Sequence, residues 1–203
     1  MEKPVIAVDI DDVLLNSADM LMADYNLRFG TSLTRADYYS KDLAKLGVEH
    51  YDEAAVRFRA YQESQAFAED AEAYEEAVDS VARLAQYYNF IGATSRPEFI
   101  KDQTDRWIKK RFGGNILHVI HTNFVMGSSS HIGTTLTKAE ACLLLGAKYM
   151  VEDHLHHAIP AAENVRKVFL VDKEWNQQDN LPDNIHRVNG WKDIEGDLLA
   201  ERI

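Results

Sequence analysis

Four apolar residues, Val5 to Val8, run directly into the carboxylates Asp9, Asp11 and Asp12 in the string VIAVDIDDVL. A short apolar, β-branched run is a buried strand, and open α/β sheets bind ligands beyond the carboxyl ends of their strands. Asp9 and Asp11 are two residues apart, so both can face one side and share a divalent cation. Clustered acids need a countercharge. A hard ion such as Mg²⁺ supplies it, takes carboxylate oxygens while keeping waters, and usually serves phosphate substrates. The same string also suits a polar strand-to-helix turn capped by Asp12 or Asn16.

Three later positions carry groups that phosphoryl transfer uses. The run FIGATSRP puts hydroxyls, Thr94 and Ser95, at a strand's end, placed to hydrogen-bond a phosphoryl oxygen. Arg96 follows them and either contacts a base or phosphate or lies on the surface before Pro97. Lys138 begins a helical pattern as a point charge that offsets phosphate and carboxylates alike. The run YMVED ends a strand in two acids, Glu152 and Asp153.

The elements that must hold these groups follow from periodicity. Asn16 or Ser17 caps a helix whose apolar positions, Ala18, Leu21, Met22, Tyr25 and Phe29, keep helical spacing until Gly30. Residues 31–47 read as loop with a short helix, and Ala54, Ala55, Phe58 and Tyr61 share one face of the next helix. From Tyr74 to Tyr88 an amphipathic stripe leads to a strand at 90–93. Helix and strand then alternate, with strands at 116–120, 149–151 and 168–171. Phe99, Ile100, Trp107 and Ile108 mark one helix, Ala139 to Leu143 another that ends at Gly146, and a helical piece lies at 156–162. Repeated β-then-α units predict a mostly parallel sheet covered on both faces, an α/β three-layer sandwich. Residues 1–14 and 71–203 would form the core domain, and 15–70 a small helical cap inserted after the first strand, over the strand ends. The segment GSSSHIGTT, 127–135, either borders the site or is a solvent-exposed connection.

With 203 residues there is room for one well-cored domain and a small lobe. Acids outnumber bases 33 to 22, a net charge of −11, so the surface repels nucleic acid polymers and anionic membranes. A phosphate must therefore be drawn in locally. The single cysteine, Cys142, sits in a helical pattern, reads as core, and suits a reducing cytosol. No apolar stretch nears the roughly 20 residues that span a bilayer, and the N-terminus leads straight into a strand; the expectation is a cytoplasmic protein. A homodimer is left open.

In order and spacing, Asp9-Ile10-Asp11, the strand-end Thr94-Ser95, Lys138 and Glu152-Asp153 resemble the four motifs of the haloacid-dehalogenase-like hydrolases, over residues 5–172. DIDDVL, TSRPE and EDHLHHA look more narrowly like the cytosolic type of 5′(3′)-deoxyribonucleotidase and its bacterial and phage relatives. The resemblance implies a Rossmann-like fold with a helical cap after the first strand, Mg²⁺ as cofactor, and a phosphomonoester, a nucleoside monophosphate, as substrate. It implies that Asp9 attacks phosphorus and that Asp11 protonates the leaving oxygen, crowding among the acids raising its pKa. Mg²⁺ would be held by Asp9, the Asp11 backbone carbonyl and the Glu152/Asp153 pair. Thr94 and Lys138, with Ser95 and Arg96 beside them, would hold the phosphoryl oxygens. Where the family has Asp the chain has Glu152, whose longer side chain makes Asp153 the direct ligand and gives Glu152 an outer or water-mediated role. The alternatives are a phosphatase of another small organic phosphate and a non-catalytic relative that binds a phosphorylated ligand.

Other residues read as ordinary structure. His154, His156 and His157 suit solvated helix-start positions better than a transition-metal site, because adjacent spacing does not aim three rings at one ion. His118 and His121 flank a strand end. Tyr38, Tyr39, Phe58 and Tyr61 fit the packing of a small helical lobe better than stacking on a base. Trp175 and Trp191 carry no assigned function, Trp191 beginning a closing helix packed on the sheet.

Overall fold

Strands β1 (Val5–Val8), β2 (Asn89–Thr94), β3 (Ile116–His121), β4 (Ala147–Glu152), β5 (Lys167–Val171) and β6 (Ile185–Val188) form one sheet in the computed structural model. Their order is β3-β2-β1-β4-β5-β6 and every pairing is parallel. The structure describes residues 2–37, 42–64, 67, 70–122 and 136–202. The segment 127–135, Tyr38 and Tyr39 lie outside them.

Alternation along the strands builds the two cores. Ile6 and Val8 of β1, Val151 of β4 and Phe169 of β5 face one side. There they meet α4 (Glu75–Leu84), α5 (Lys101–Phe112) and α8 (Trp191–Ala200) through Val81, Trp107 and Ile194. Ala7, Met150 and Leu170 face the other side, covered by α6 (Lys138–Leu145) and α7 (Leu155–Ala162) through Cys142, Ala158 and Ala161. Small residues on that side let the two short helices lie close to the sheet. Each large side chain so buried stabilises the fold by about 1.5–3 kcal/mol, and truncating fully buried Phe169 to Ala would cost about 3–5 kcal/mol.

Between β1 and α4 run α1 (Ser17–Phe29), α2 (Leu43–Leu46) and α3 (Tyr51–Gln62), with no strand among the described residues of that stretch. They pack on a cluster of their own, Met22, Tyr25, Leu33, Leu46 and Ala54, in which the Tyr25 hydroxyl donates to the Leu46 carbonyl at 2.8 Å. Gly30 ends α1 in the left-handed conformation (φ +65°) that its missing side chain makes inexpensive. No described helix is long and apolar enough to cross a membrane.

Three details differ from the sequence reading. Ala55 is exposed, and the inner face of α3 is carried by Ala54 and Tyr61 with Phe58 half-buried. A 3₁₀ turn, Glu98–Ile100, takes the start of the helix expected there, so α5 begins at Lys101. Strand β6 was not expected, because only Ile185 and Val188 of its four residues are buried. Trp191 does open the closing helix, and its indole N–H donates to the Val13 carbonyl at 2.9 Å.

Candidate active site

The chain leaves β1 toward β2 on one side and reaches β4 on the other, so a crevice opens where β1 meets β4, beyond their carboxyl ends. Asp9 is the first residue past β1. Its N–H donates to the Val151 carbonyl at 3.0 Å, and its Oδ1 accepts from the Ile10 N–H at 2.8 Å. Asp12 then turns the chain with φ +56°, a conformation rare outside glycine. Its buried carboxylate accepts from the Ser17 hydroxyl at 2.9 Å and the Ala18 N–H at 3.3 Å, which seats the start of α1. Asn16 Oδ1 accepts from the Asp19 N–H at 3.3 Å, so both capping candidates are used.

Lys138 stands at the first position of α6 because Thr137 and Glu140 form a reciprocal capping box there. Its ammonium, buried under the sheet's end, lies 2.7 Å from Asp9 Oδ2 and 2.9 Å from Glu152 Oε2. Burial works against its charge, but the two carboxylates outweigh burial and raise its pKa. Glu152 has both oxygens engaged, the second accepting from the His154 N–H at 3.1 Å. Asp153 accepts from the Trp175 indole N–H at 2.9 Å, and its carbonyl from Asn176 at 2.7 Å.

Asp9, Glu152 and Asp153 bring one carboxylate oxygen each to within 4.8 Å of one another. One lysine does not balance three buried acids. Burial, with Glu152 close by, pushes Asp9 up to about 7 from an ordinary 3.8, against the pull of Lys138. Burial, Glu152 and Asp9 likewise drive Asp153 well above the usual carboxylate range. An all-oxygen, over-acidic trio of this kind fits a hard divalent cation.

Asp11 behaves differently. Its carboxylate turns away from the trio to Arg96, whose Nε and Nη2 donate to its two oxygens at 2.9 and 2.8 Å. Burial alone would raise Asp11, but the charge and hydrogen bonds of Arg96 hold it below the ordinary value, the reverse of the shift expected from crowding. Arg96 is itself buried, not on the surface.

A cavity of about 290 Å³ opens over these groups. Asp9, Asp11, Lys138, Glu152 and Asp153 form its floor, and Ser95 and Arg96 share its wall. Thr94 does not line it. The Thr94 side chain is fully buried and its hydroxyl accepts from the Arg96 N–H at 3.2 Å, while Ser95 Oγ lies 3.4 Å from His157 Nε2. The segment between β1 and α4 closes the other side with Leu21, Tyr61, Gln62 and Phe67. The Tyr61 hydroxyl is buried without a hydrogen-bond partner among the described residues.

His154, the N-cap of α7, and His156 and His157 in its first turn occupy the helix start expected of them, with His156 exposed, and they line the cavity as well; among the described residues they do not converge as a metal-ligand group. Burial, with Lys138 near, lowers His157 to about 3, so its ring is neutral. His121 lies behind the site, its Nδ1 3.4 Å from the Arg96 carbonyl, and His118 is exposed on β3. Trp175 was missed: it sits in a 3₁₀ turn after β5, with no apolar pattern to mark it, and reaches Asp153 only through the fold.

The family described as 5′ nucleotidase, deoxy (Pyrimidine), cytosolic type C protein matches the chain over residues 3–202. No curated protein matches the sequence significantly. Among solved structures, a haloacid-dehalogenase-like hydrolase of Streptococcus pneumoniae is similar with a TM-score of 0.65 at 14% identity, covering 99% of each chain. A hydrolase of the same superfamily from Ehrlichia chaffeensis gives 0.58 at 12% identity, covering 100% of each. One from Bacillus subtilis, solved bound to magnesium, gives 0.59 at 12% identity, covering 98% of this chain and all of its own. At such identities the likeness is one of fold.

Proposed function

Because the chain belongs to this cytosolic type C family of 5′ nucleotidases, within the haloacid-dehalogenase-like hydrolases, we propose that it is a Mg²⁺-dependent phosphomonoester hydrolase working through Asp9 on (deoxy)ribonucleoside monophosphates. The observation that carries this reading is the buried trio Asp9, Glu152 and Asp153, the first two of which share a single lysine, at the mouth of the β1–β4 crevice. A cavity of about 290 Å³ suits a small ester rather than a polymer.

Asp9 would form a bond from a carboxylate oxygen to phosphorus as the bond to the leaving oxygen breaks, and Asp11, once released from the Arg96 contact that keeps it ionised and protonated from solvent, would give that oxygen its proton. A water oxygen would then displace Asp9 from phosphorus, its proton going to Asp11. Lys138 and Ser95 would hold the non-bridging oxygens, Ser95 rather than Thr94 because Ser95 faces the cavity. Asp9, Asp153 and the Asp11 backbone carbonyl would hold the Mg²⁺. Glu152, both of whose oxygens are engaged, would act one step removed. When bound, that ion neutralises charge building up on the phosphoryl group. Residues 15–70 would act as a cap, with the unpartnered Tyr61 hydroxyl available to the leaving group. The work would be done in the cytoplasm.

Phosphate release from a nucleotide panel, with Mg²⁺ and with EDTA, tests this. Turnover should need the metal and vanish in Asp9→Asn. Full activity in that variant would overturn the nucleophile, and turnover confined to other small phosphates would move the substrate while keeping the chemistry. Phosphate-ester binding with no turnover of any ester would favour a non-catalytic ligand-binding protein.

A further inference from the structure

Arg35 joins the stretch between β1 and α4 to the turn that follows β5. It opens a 3₁₀ turn, Arg35–Asp37, and its Nη1 donates to Asp19 Oδ2 at 2.9 Å and to Asn16 Oδ1 at 3.3 Å, both at the start of α1. Outside that stretch its Nε lies 3.4 Å from Glu174 Oε2. Its guanidinium carbon is 5.5 Å from the centre of the Trp175 ring, close enough for cation–π attraction. Trp175 is half-buried and donates its indole N–H to Asp153 Oδ2 at 2.9 Å. The backbone of its turn is fixed separately, because the Asn176 side chain donates to the carbonyls of Asp153 and Val171 at 2.7 and 2.8 Å. Arg35 touches the ring. A chain of contacts thus runs from α1 through Arg35 and Trp175 to the Asp153 carboxylate.

We propose that Arg35 is a positioning residue that holds the Trp175 ring so that its N–H keeps the Asp153 carboxylate aimed at the cation, tying metal binding to the stretch between β1 and α4. The proposal rests on Asp153 holding the Mg²⁺ of the hydrolase reading. A planar guanidinium against a ring restrains the ring's plane, which the compact charge of a lysine does less well. The N–H lies in that plane, so a restrained ring gives the Asp153 carboxylate one direction. Charge alone predicts the opposite sign. Taking a cation away from beside an acidic metal site should tighten the binding of Mg²⁺, whereas taking away a positioning group should loosen it.

Mg²⁺ binding to the full chain, read by titration calorimetry with no substrate present, tests this. Arg35→Met should weaken Mg²⁺ about fivefold. It should also shift tryptophan emission to the red, a change assigned to Trp175 because Trp107 and Trp191 are only 1% and 3% exposed. In a Trp175→Phe background the N–H that carries the effect is gone, so the same substitution should cost less than about twofold and leave emission unchanged. Arg35→Lys keeps the charge but not the plane and should weaken Mg²⁺ about threefold; it carries the comparison if Arg35→Met fails to fold. Unchanged or tighter Mg²⁺ binding in Arg35→Met overturns the proposal. So does an equal loss in both backgrounds, as a general loosening of α1 would give, or full affinity in Arg35→Lys. Any of these results beside Mg²⁺-dependent phosphate release removes this proposal alone. A wild-type chain that binds no Mg²⁺ removes the metal reading and this proposal with it.

Discussion

Two clusters of lysine and acid stand at opposite ends of the same sheet, and they are built on opposite principles. At the carboxyl end Lys138 faces Asp9 and Glu152, with Asp153 close by, all buried. At the amino end Lys167, the first residue of β5, meets Glu201 at 2.6 Å and Asp197 at 2.9 Å beside solvent. In the second cluster Arg166 and the Tyr149 hydroxyl add further support to Glu201. There burial would raise Glu201, but Lys167 and Tyr149 outweigh it and hold its carboxyl below the ordinary value. In the first, burial and mutual repulsion win, and Asp9 rises to about 7. A structural cluster is charge-matched and relieves its acids. The cluster in the crevice is left acid-rich, which costs stability and is the expected mark of a site completed by a cation and an anionic substrate.

The widest separation between the two comes from deleting charges one at a time. Asp9→Asn should cut phosphate release by roughly 10⁴-fold or more, as loss of a nucleophile does, with the fold intact by circular dichroism. Lys138→Met should be the most damaging change to the fold. It leaves Asp9 and Glu152 buried without their shared cation, a loss of about 3–5 kcal/mol read by urea unfolding. A Lys138→Met protein as stable as its parent would show that the crevice acids carry no net burden.

Metal sharpens the contrast next. Mg²⁺ at a hundred times its dissociation constant should stabilise the protein by about 2.7 kcal/mol, seen as a rise in Tm that EDTA reverses. The pH dependence has a definite sign. Asp9, at about 7 in the fold against 3.8 ordinarily, supports the fold fully below its ordinary value and withdraws that support as pH climbs through about 7. In EDTA, Asp9→Asn should therefore exceed its parent in Tm by a margin that widens from about pH 4 to about pH 8, and Mg²⁺ should shrink that margin. Trp175→Phe removes only the indole N–H from Asp153. A weakening of Mg²⁺ affinity by about tenfold is expected, measured by titration calorimetry.

The crevice cluster was legible in the sequence because each member follows an apolar strand or opens a helix, positions that pattern alone can mark. Asp9 sits after VIAV, Glu152 and Asp153 close β4, and Lys138 starts α6. What pattern could not say is where side chains turn. At the end of β2, Thr94 and Ser95 point opposite ways, and only the fold shows that Ser95 meets the cavity. The Arg96 fork on Asp11 joins residues 85 apart, so the local crowding that predicted a raised Asp11 missed the charge that lowers it. Trp175 and β6 were hidden for a related reason: both belong to short, mostly polar stretches whose contacts are long-range.

The smallest effect belongs to the matched cluster, and it is the control for the rest. Lys167→Met takes away the lysine that contacts Glu201 and Asp197. Glu201 keeps the Tyr149 hydroxyl at 2.6 Å and Arg166 at 3.4 Å, and water reaches the site to solvate what is left. The expected loss is about 1 kcal/mol, the upper end for an ion pair beside solvent, with phosphate release and Mg²⁺ affinity unchanged. A lysine with the same number of acid partners as Lys138 would then differ from it severalfold in stability and entirely in function. Should Lys167→Met prove as costly as Lys138→Met, burial and acid excess at the crevice would cease to distinguish the two ends of the sheet.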